Sequence, residues 1–214
     1  MQRRLEPEIL DTLPPGHPDA LHNRRDLRLI NQVMGNWRWF ARTLPPLVRP
    51  GERVLELGAG TGELARALHP TVPRLDGLDR WPAPAGWPAD ASWHQTDVQD
   101  FTRWGDYPVV IGNLILHQFD ATTLRALGDA LSANARLIVL CEPFRHRRFQ
   151  WIYAVCAPLF GANYVSRHDG RVSIAAGFCD DELPHALGFD PLLWRWHVVI
   201  TGLGSYRLIA ERLP

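Results

Sequence analysis

The segment Val54-Leu55-Glu56-Leu57-Gly58-Ala59-Gly60-Thr61-Gly62 constrains the fold more than any other part of the chain. An apolar run enters it and a helix-like stretch, Glu63 to His69, leaves it, so it reads as a strand, a glycine turn and a helix start. Glycine takes φ > 0 without strain and has no Cβ, so the backbone can reverse sharply while a ligand lies against its amides. The spacing narrows the ligand. A dinucleotide fingerprint, G-x-G-x-x-G, would need a glycine at position 63, where the chain has Glu63; the glycines fall instead at 58, 60 and 62.

The length of 214 residues suits one domain with a full core, and 46% apolar with 21% charged residues is ordinary for a globular protein. Formal net charge is zero, so no long-range basic field gathers phosphate backbones, and nucleic acid is not an expected partner. All 23 basic residues are arginine. Without lysine, pyridoxal-phosphate enzymes and P-loop NTPases are excluded. Cys141, Cys156 and Cys179 are odd in number and far apart, which fits reduced thiols in the cytoplasm. The first residues lack the apolar core of a signal peptide. No segment reaches the roughly 20 apolar residues of a spanning helix. Phe149 to Ser166 comes nearest, uncharged but broken by Pro158 and Gly161, and reads as buried or as a roof over a ligand. The nine histidines have no H-E-x-x-H or paired-cysteine spacing, so no metal site is expected.

Residues 1–22, rich in proline and polar residues, predict an irregular arm, and the rest, 23–214, a single domain opening on a helix (23–45). Within Arg24 to Thr43, Leu27, Ile30, Met34, Trp37 and Ala41 recur at helical steps. After the glycine turn, Arg74 to Asp79 and Ala91 to His94 read as the second and third strands. Pro108 to Leu114, almost wholly apolar, is the fourth, buried on both faces of a parallel sheet. Ala121 to Ser132 is a helix, Arg136 to Cys141 the fifth strand and Asp181 to Leu187 another helix. Leu193 to Ile200 and Tyr206 to Glu211 form a closing antiparallel hairpin. The predicted fold is α/β: a doubly wound, Rossmann-like, seven-stranded sheet, mostly parallel with a C-terminal antiparallel hairpin.

The G-x-G-x-G turn, with Glu56 two residues before its first glycine, resembles motif I of the class I S-adenosylmethionine-dependent methyltransferases. The resemblance implies S-adenosylmethionine as cofactor, held beyond the carboxyl ends of the strands. Gly58, Ala59, Gly60 and Gly62 would then meet the methionine part with backbone amides, and Glu56 would accept from its ammonium or a bridging water. Asp79, roughly 20 residues beyond the turn and at a strand end, can take both ribose hydroxyls. Trp81 can lie against the adenine, Asp97 with Val98 resembles the pair that reads the adenine amino group, and Asn113 ends the fourth strand. Each acid also suits a turn cap, Trp81 also suits surface packing, and the Asp79 position serves NAD equally.

The sequence Asn113 to Phe119 lacks the N/D-P-P-Y/F of amino-methylating enzymes and resembles the N-L-x-L-H-H-F stretch of small-molecule methyltransferases. Together with Arg24 to Asn31, Asn36-Trp37 and Arg167 to Ser173, it is similar to bacterial methyltransferases associated with type III polyketide synthase pathways. That likeness implies O-methylation of a phenolic, quinol or pyrone acceptor, with Gln118 and Ala175-Ala176 departing from the pattern. A phenol with pKa near 10 needs help at neutral pH, and His117 and His168 are the candidate bases. Either can also be structural. A pair between His168 and Asp169 would require a loop there if the segment were a strand. Residues from about 145 to 180, including Trp151, Tyr153, Leu159, Phe160 and Tyr164, predict a substrate cover or an ordinary core helix. Arg24, Arg25 and Arg28 suit a lid over an anionic acceptor or a solvated helix face. A nicotinamide-dependent oxidoreductase is disfavoured by Glu63 and by the impossibility of a Tyr-x-x-x-Lys pair. A non-catalytic S-adenosylmethionine-binding domain stays open, and an RNA methyltransferase is disfavoured by the neutral charge.

Overall fold

Four apolar runs form the buried centre of the sheet around which everything else is arranged. A computed structural model describes every residue but Pro15 and Pro73. In chain order its elements are α1 (Pro18–Met34), α2 (Asn36–Thr43), β1 (Val54–Leu57), α3 (Glu63–Leu68), β2 (Leu75–Asp79), β3 (Trp93–Gln95), β4 (Val109–Asn113), α4 (Ala121–Asn134), β5 (Leu137–Pro143), α5 (Arg147–Leu159), α6 (Tyr164–Ala176), α7 (Glu182–Leu187), β6 (Trp194–Ile200) and β7 (Ser205–Arg212). The sheet runs β3-β2-β1-β4-β5-β7-β6; as predicted it has seven strands, five of them parallel, closed by β7 antiparallel to β5 and to β6.

Every residue of β1 and β5 is buried, because helices cover both faces. One core layer joins Leu55, Leu57, Ile138 and Leu140 to Leu124, Leu127 and Leu131 of α4. The other joins Val54, Ile111 and Val139 to Phe40 of α2 and Leu64 and Leu68 of α3. Burial of such a side chain stabilises by roughly 1.5–3 kcal/mol, so these two layers fix the strand ends in place. The order of strands reverses between β1 and β4, which opens a crevice beyond their carboxyl ends.

Two boundaries differ from the sequence expectation. The first helix begins at Pro18, where proline at the first helical position and the His17 ring accepting from the Asp19 amide make a start signal, so the arm ends before residue 22. That helix is also interrupted: Gly35, at φ 68°, ends α1 in the left-handed region and α2 starts anew. The arm itself is tied to the body. Leu10–Thr12 is a 3-10 turn, the amides of Ile9 and Leu10 donate to Asp169 at 2.8 and 3.0 Å, and the Arg3 guanidinium donates to the carbonyls of Ala176, His117 and Phe119. Among the described residues no helix is long and apolar enough to cross a membrane.

Candidate active site

A cavity of about 860 Å³ occupies the crevice. The ends of four parallel strands floor it with Glu56 and Leu57, Leu78 and Asp79, Asn113, and Pro143, while α1, α5, α6 and the arm wall it. Of the residues expected to bind a cofactor, Glu56, Gly58, Ala59, Gly60, Asp79, Trp81, Asp97, Val98 and Asn113 all line it. Gly62 does not. It turns the chain into α3 at φ 72°, and a Cβ there would meet the Trp87 ring at 3.1 Å.

The turn offers space more than donors. The Ala59 amide donates to Leu78 O, the Gly60 amide to Asp79 Oδ2 at 2.8 Å and the Gly62 amide to Ala59 O, so three of the amides expected to face a ligand are already bonded within the protein. Gly58, at φ 61°, has Ile115 so close that a Cβ would sit 2.8 Å from its side chain. Asp79 accepts from both the Gly60 and the Trp81 amides, the second at 2.9 Å, which fixes its carboxylate at the rim. Asp97 caps the 3-10 turn Val98–Asp100 by accepting from Gln99.

Two buried acceptors on the floor lack a partner. Glu56 Oε2 and Asn113 Oδ1 make no hydrogen bond, although the Asn113 amide donates to Asn31 at 3.0 Å and Asn31 is held in turn by Asn36. Burial, then the charges of Asp79 and Glu63, push the Glu56 carboxyl well above the usual carboxylate range. A buried acceptor without a partner is costly unless a ligand supplies the donor. A cationic donor satisfies Glu56 best.

The second pole is built around His117, in the 3-10 turn after β4. Its Nδ1 lies 2.7 Å from Glu142 Oε2 and its Nε2 3.3 Å from Glu8 Oε1. Glu142, fully buried at the end of β5, also accepts from the amides of Ile115, Leu116 and His117. Burial alone lowers the His117 pKa, but the hydrogen bonds to Glu142 and Glu8 and their charges outweigh it and push the pKa up to about 9. At neutral pH the ring is an imidazolium. Burial raises Glu8, yet His117, Ser173 and Gln118 together hold it below the usual carboxylate range. Asp11, also on the cavity wall, is pushed up by burial and by Glu8.

His168 is placed elsewhere. Its segment is a helix, not a strand or loop, and the ring pairs with Asp169 at 2.9 Å on the partly exposed side of α6, outside the cavity wall. Asp169 is the residue that reaches the wall. Trp151, Leu159 and Tyr164 likewise stand in solvent; of the expected cover Tyr153 and Phe160 line the cavity, joined there by Ile152 and Cys156. Arg24 and Arg28 line the opening, with Arg28 paired to Glu63 at 3.2 Å, whereas Arg25 turns to Asp26 and His22. Sequence reasoning missed Glu8, Glu142 and Ser173, and took Asp169 only as a partner for His168. Glu142 carried a usable signal, an acid closing a buried parallel strand, the same signal that singles out Asp79.

No protein-family model matches the chain, and no curated protein does. Solved structures do. The plantazolicin methyltransferase BpumL in complex with SAH superposes with a TM-score of 0.73 at 10% identity, over 96% of this chain and 93% of that one. The pyocyanin biosynthetic protein PhzM gives 0.62 at 16% identity, over 95% of this chain and 60% of that one. Magnesium protoporphyrin IX methyltransferase (ChlM) from Synechocystis PCC 6803 with bound SAM gives 0.52 at 17% identity, over 89% and 84%. At these identities the likeness is one of fold: this chain has the α/β fold of those methyltransferases.

Proposed function

We propose that the chain is a cytoplasmic S-adenosylmethionine-dependent methyltransferase that O-methylates a small aromatic or polyketide-type acceptor, a phenol, quinol or pyrone. The observation that carries this reading is the unpartnered Glu56 Oε2, buried at the floor of the crevice beside a glycine turn. It asks for a cationic donor, and the ammonium of the methionine part is one. Asn113 Oδ1 offers a second acceptor there, and Asp79, also on the cavity lining, suits a ribose diol. Asp97 and Val98 would read the adenine, with Trp81 against its face. The fold shared with SAH- and SAM-bound methyltransferases supports the same cofactor.

S-adenosylmethionine, when bound, supplies an electrophilic methyl group on a charged sulfur. The transfer is an in-line displacement at carbon, so holding the acceptor oxygen about 3 Å from that methyl supplies much of the acceleration. Tyr153, Ile152 and Phe160 enclose an aromatic acceptor and exclude water. His117, charged and paired through both ring nitrogens to Glu142 and Glu8, orients those carboxylates at the acceptor end of the cavity, in place of the proton-abstracting role that an ordinary histidine pKa would allow. The acceptor hydroxyl gives up its proton to solvent before it enters the cavity, because Glu8, held below the usual carboxylate range, is too weak a base for a phenol with pKa near 10. His168 has no part in this arrangement.

Calorimetric titration with S-adenosylmethionine and, separately, NADH tests the reading. Micromolar binding of the first alone, weakened in Asp79→Ala, followed by methylation of phenols or pyrones, is the expected result. Preference for NADH would replace it with a nicotinamide-dependent oxidoreductase, and binding without turnover of any acceptor would leave a non-catalytic binding domain.

A further inference from the structure

Beside the cavity mouth lies an apolar face that the site does not use. Trp151, Val155 and Leu159 follow at four-residue steps on α5 and so share one side of it, and they stand 75%, 53% and 79% exposed. Phe160, 69% exposed, and Ile152 belong both to this surface and to the cavity wall. Leu29 and Val33 of α1 and Leu203 before β7 are likewise exposed and lining. The outer strip therefore adjoins an apolar rim that leads into the cavity. Such a patch on a globular protein marks an interaction surface.

Charge identifies what covers it. Arg147 and Arg148 lie one helical turn before Trp151 on α5, and Arg167 and Arg171 are exposed on α6, which packs against it. From Phe144 to Phe178 the single carboxylate is Asp169, which is buried and accepts from the arm amides. The surface of the two helices thus carries exposed cations, an exposed tryptophan and aliphatic side chains, and no exposed acid. That is the composition of a helix lying in the interface of an anionic bilayer. A second copy is disfavoured, because a twofold contact sets the same patch against itself and would bring two sets of exposed arginines together with no exposed acid on these helices to pair them.

We infer that the α5–α6 face docks on an anionic phospholipid membrane, with Trp151, Val155 and Leu159 in the interface and the cavity rim opening toward the lipid. Joined to the proposed methyltransferase reading, on which this consequence rests, the docking makes the acceptor a lipophilic molecule that enters from the bilayer. Co-sedimentation with vesicles reads docking without any turnover, so it succeeds or fails independently of the methyl-transfer assay. The protein should bind vesicles containing one part in three phosphatidylglycerol about tenfold or more tightly than phosphatidylcholine vesicles. Trp151→Ser with Leu159→Ser, both at exposed positions, should abolish binding to either. Arg147→Gln with Arg148→Gln should remove most of the anionic preference. Failure to sediment with either vesicle, equal binding to both, indifference to these variants, or a solution oligomer that dissociates on Leu159→Ser would each overturn the inference, the last by assigning the face to a second copy.

Discussion

Replacing Glu56 with glutamine should have opposite effects on the free and the liganded protein. The carboxyl is buried, one oxygen has no partner, and burial with the charges of Asp79 and Glu63 raises its pKa in the folded state. For an acid raised on folding, the native state holds its proton more tightly than the unfolded chain. Stability therefore falls as pH rises from the ordinary carboxylate range toward the folded pKa. Glutamine is neutral throughout and escapes that loss, so Glu56→Gln should raise the melting temperature of the free protein, by roughly 2–4 °C for each kcal/mol relieved in a chain of this size. Binding goes the other way. A hydrogen bond to a charged group contributes about 1.5–3 kcal/mol, so loss of the carboxylate opposite an ammonium should weaken S-adenosylmethionine about ten- to 150-fold. Because the ammonium favours the ionised acid, binding to the wild type should also release a proton above the ordinary carboxylate range. Titration calorimetry in buffers of different ionisation enthalpy, with thermal melts at pH 6 and 8, measures all three effects. Unchanged affinity in the variant, or a free protein that melts lower, would refute the assignment of Glu56 as the cation acceptor.

His117, raised to about 9, contributes stability that is fully present below its unfolded pKa of about 6.5 and is lost as pH climbs through 9, so wild-type melting should decline across that window. Glu8→Gln removes one of its carboxylates; the imidazole should then titrate lower by NMR, and the decline should flatten. Gly128 on α4 lies against α7, where a Cβ would fall 1.7 Å from the Leu187 carbonyl oxygen, so Gly128→Ala should cost at least about 3 kcal/mol in urea unfolding. Gly202→Ala, with nothing within 4 Å, should stay within about 0.5 kcal/mol. Gly58→Ala forces a left-handed φ of 61° and a contact with Ile115; it should destabilise by about 1–2 kcal/mol, and Ile115→Ala in the same chain should restore part of the melting temperature.

How much of this was legible in the sequence depends on how far each contact reaches along the chain. The sheet could be read because each parallel strand is a short apolar run bounded by turn residues, whereas the order β3-β2-β1-β4-β5 is set by packing between distant runs. The cofactor pole could be read because Glu56, Asp79 and Asn113 each end such a run, so one backbone rule places all three at one crevice. The acceptor pole obeys no local rule. Glu8 meets His117 and Asp169 meets the arm amides across more than a hundred residues, and nothing in Pro7-Glu8-Ile9 distinguishes an exposed glutamate from one that sets the charge of a distant ring. The same blindness misplaced His168. A motif match fixed its identity, but a helix turned its ring away from the cavity and brought Asp169 round instead. The apolar stretch of α5 was only half legible for a related reason: an uncharged run looks the same whether a helix buries a given side chain or leaves it bare. Only packing against α6 shows that Tyr153 goes inward and Trp151 outward. What a hydrophobic stripe covers is thus decided by the partner surface, and where the fold supplies none, the stripe itself points outside the chain for its partner.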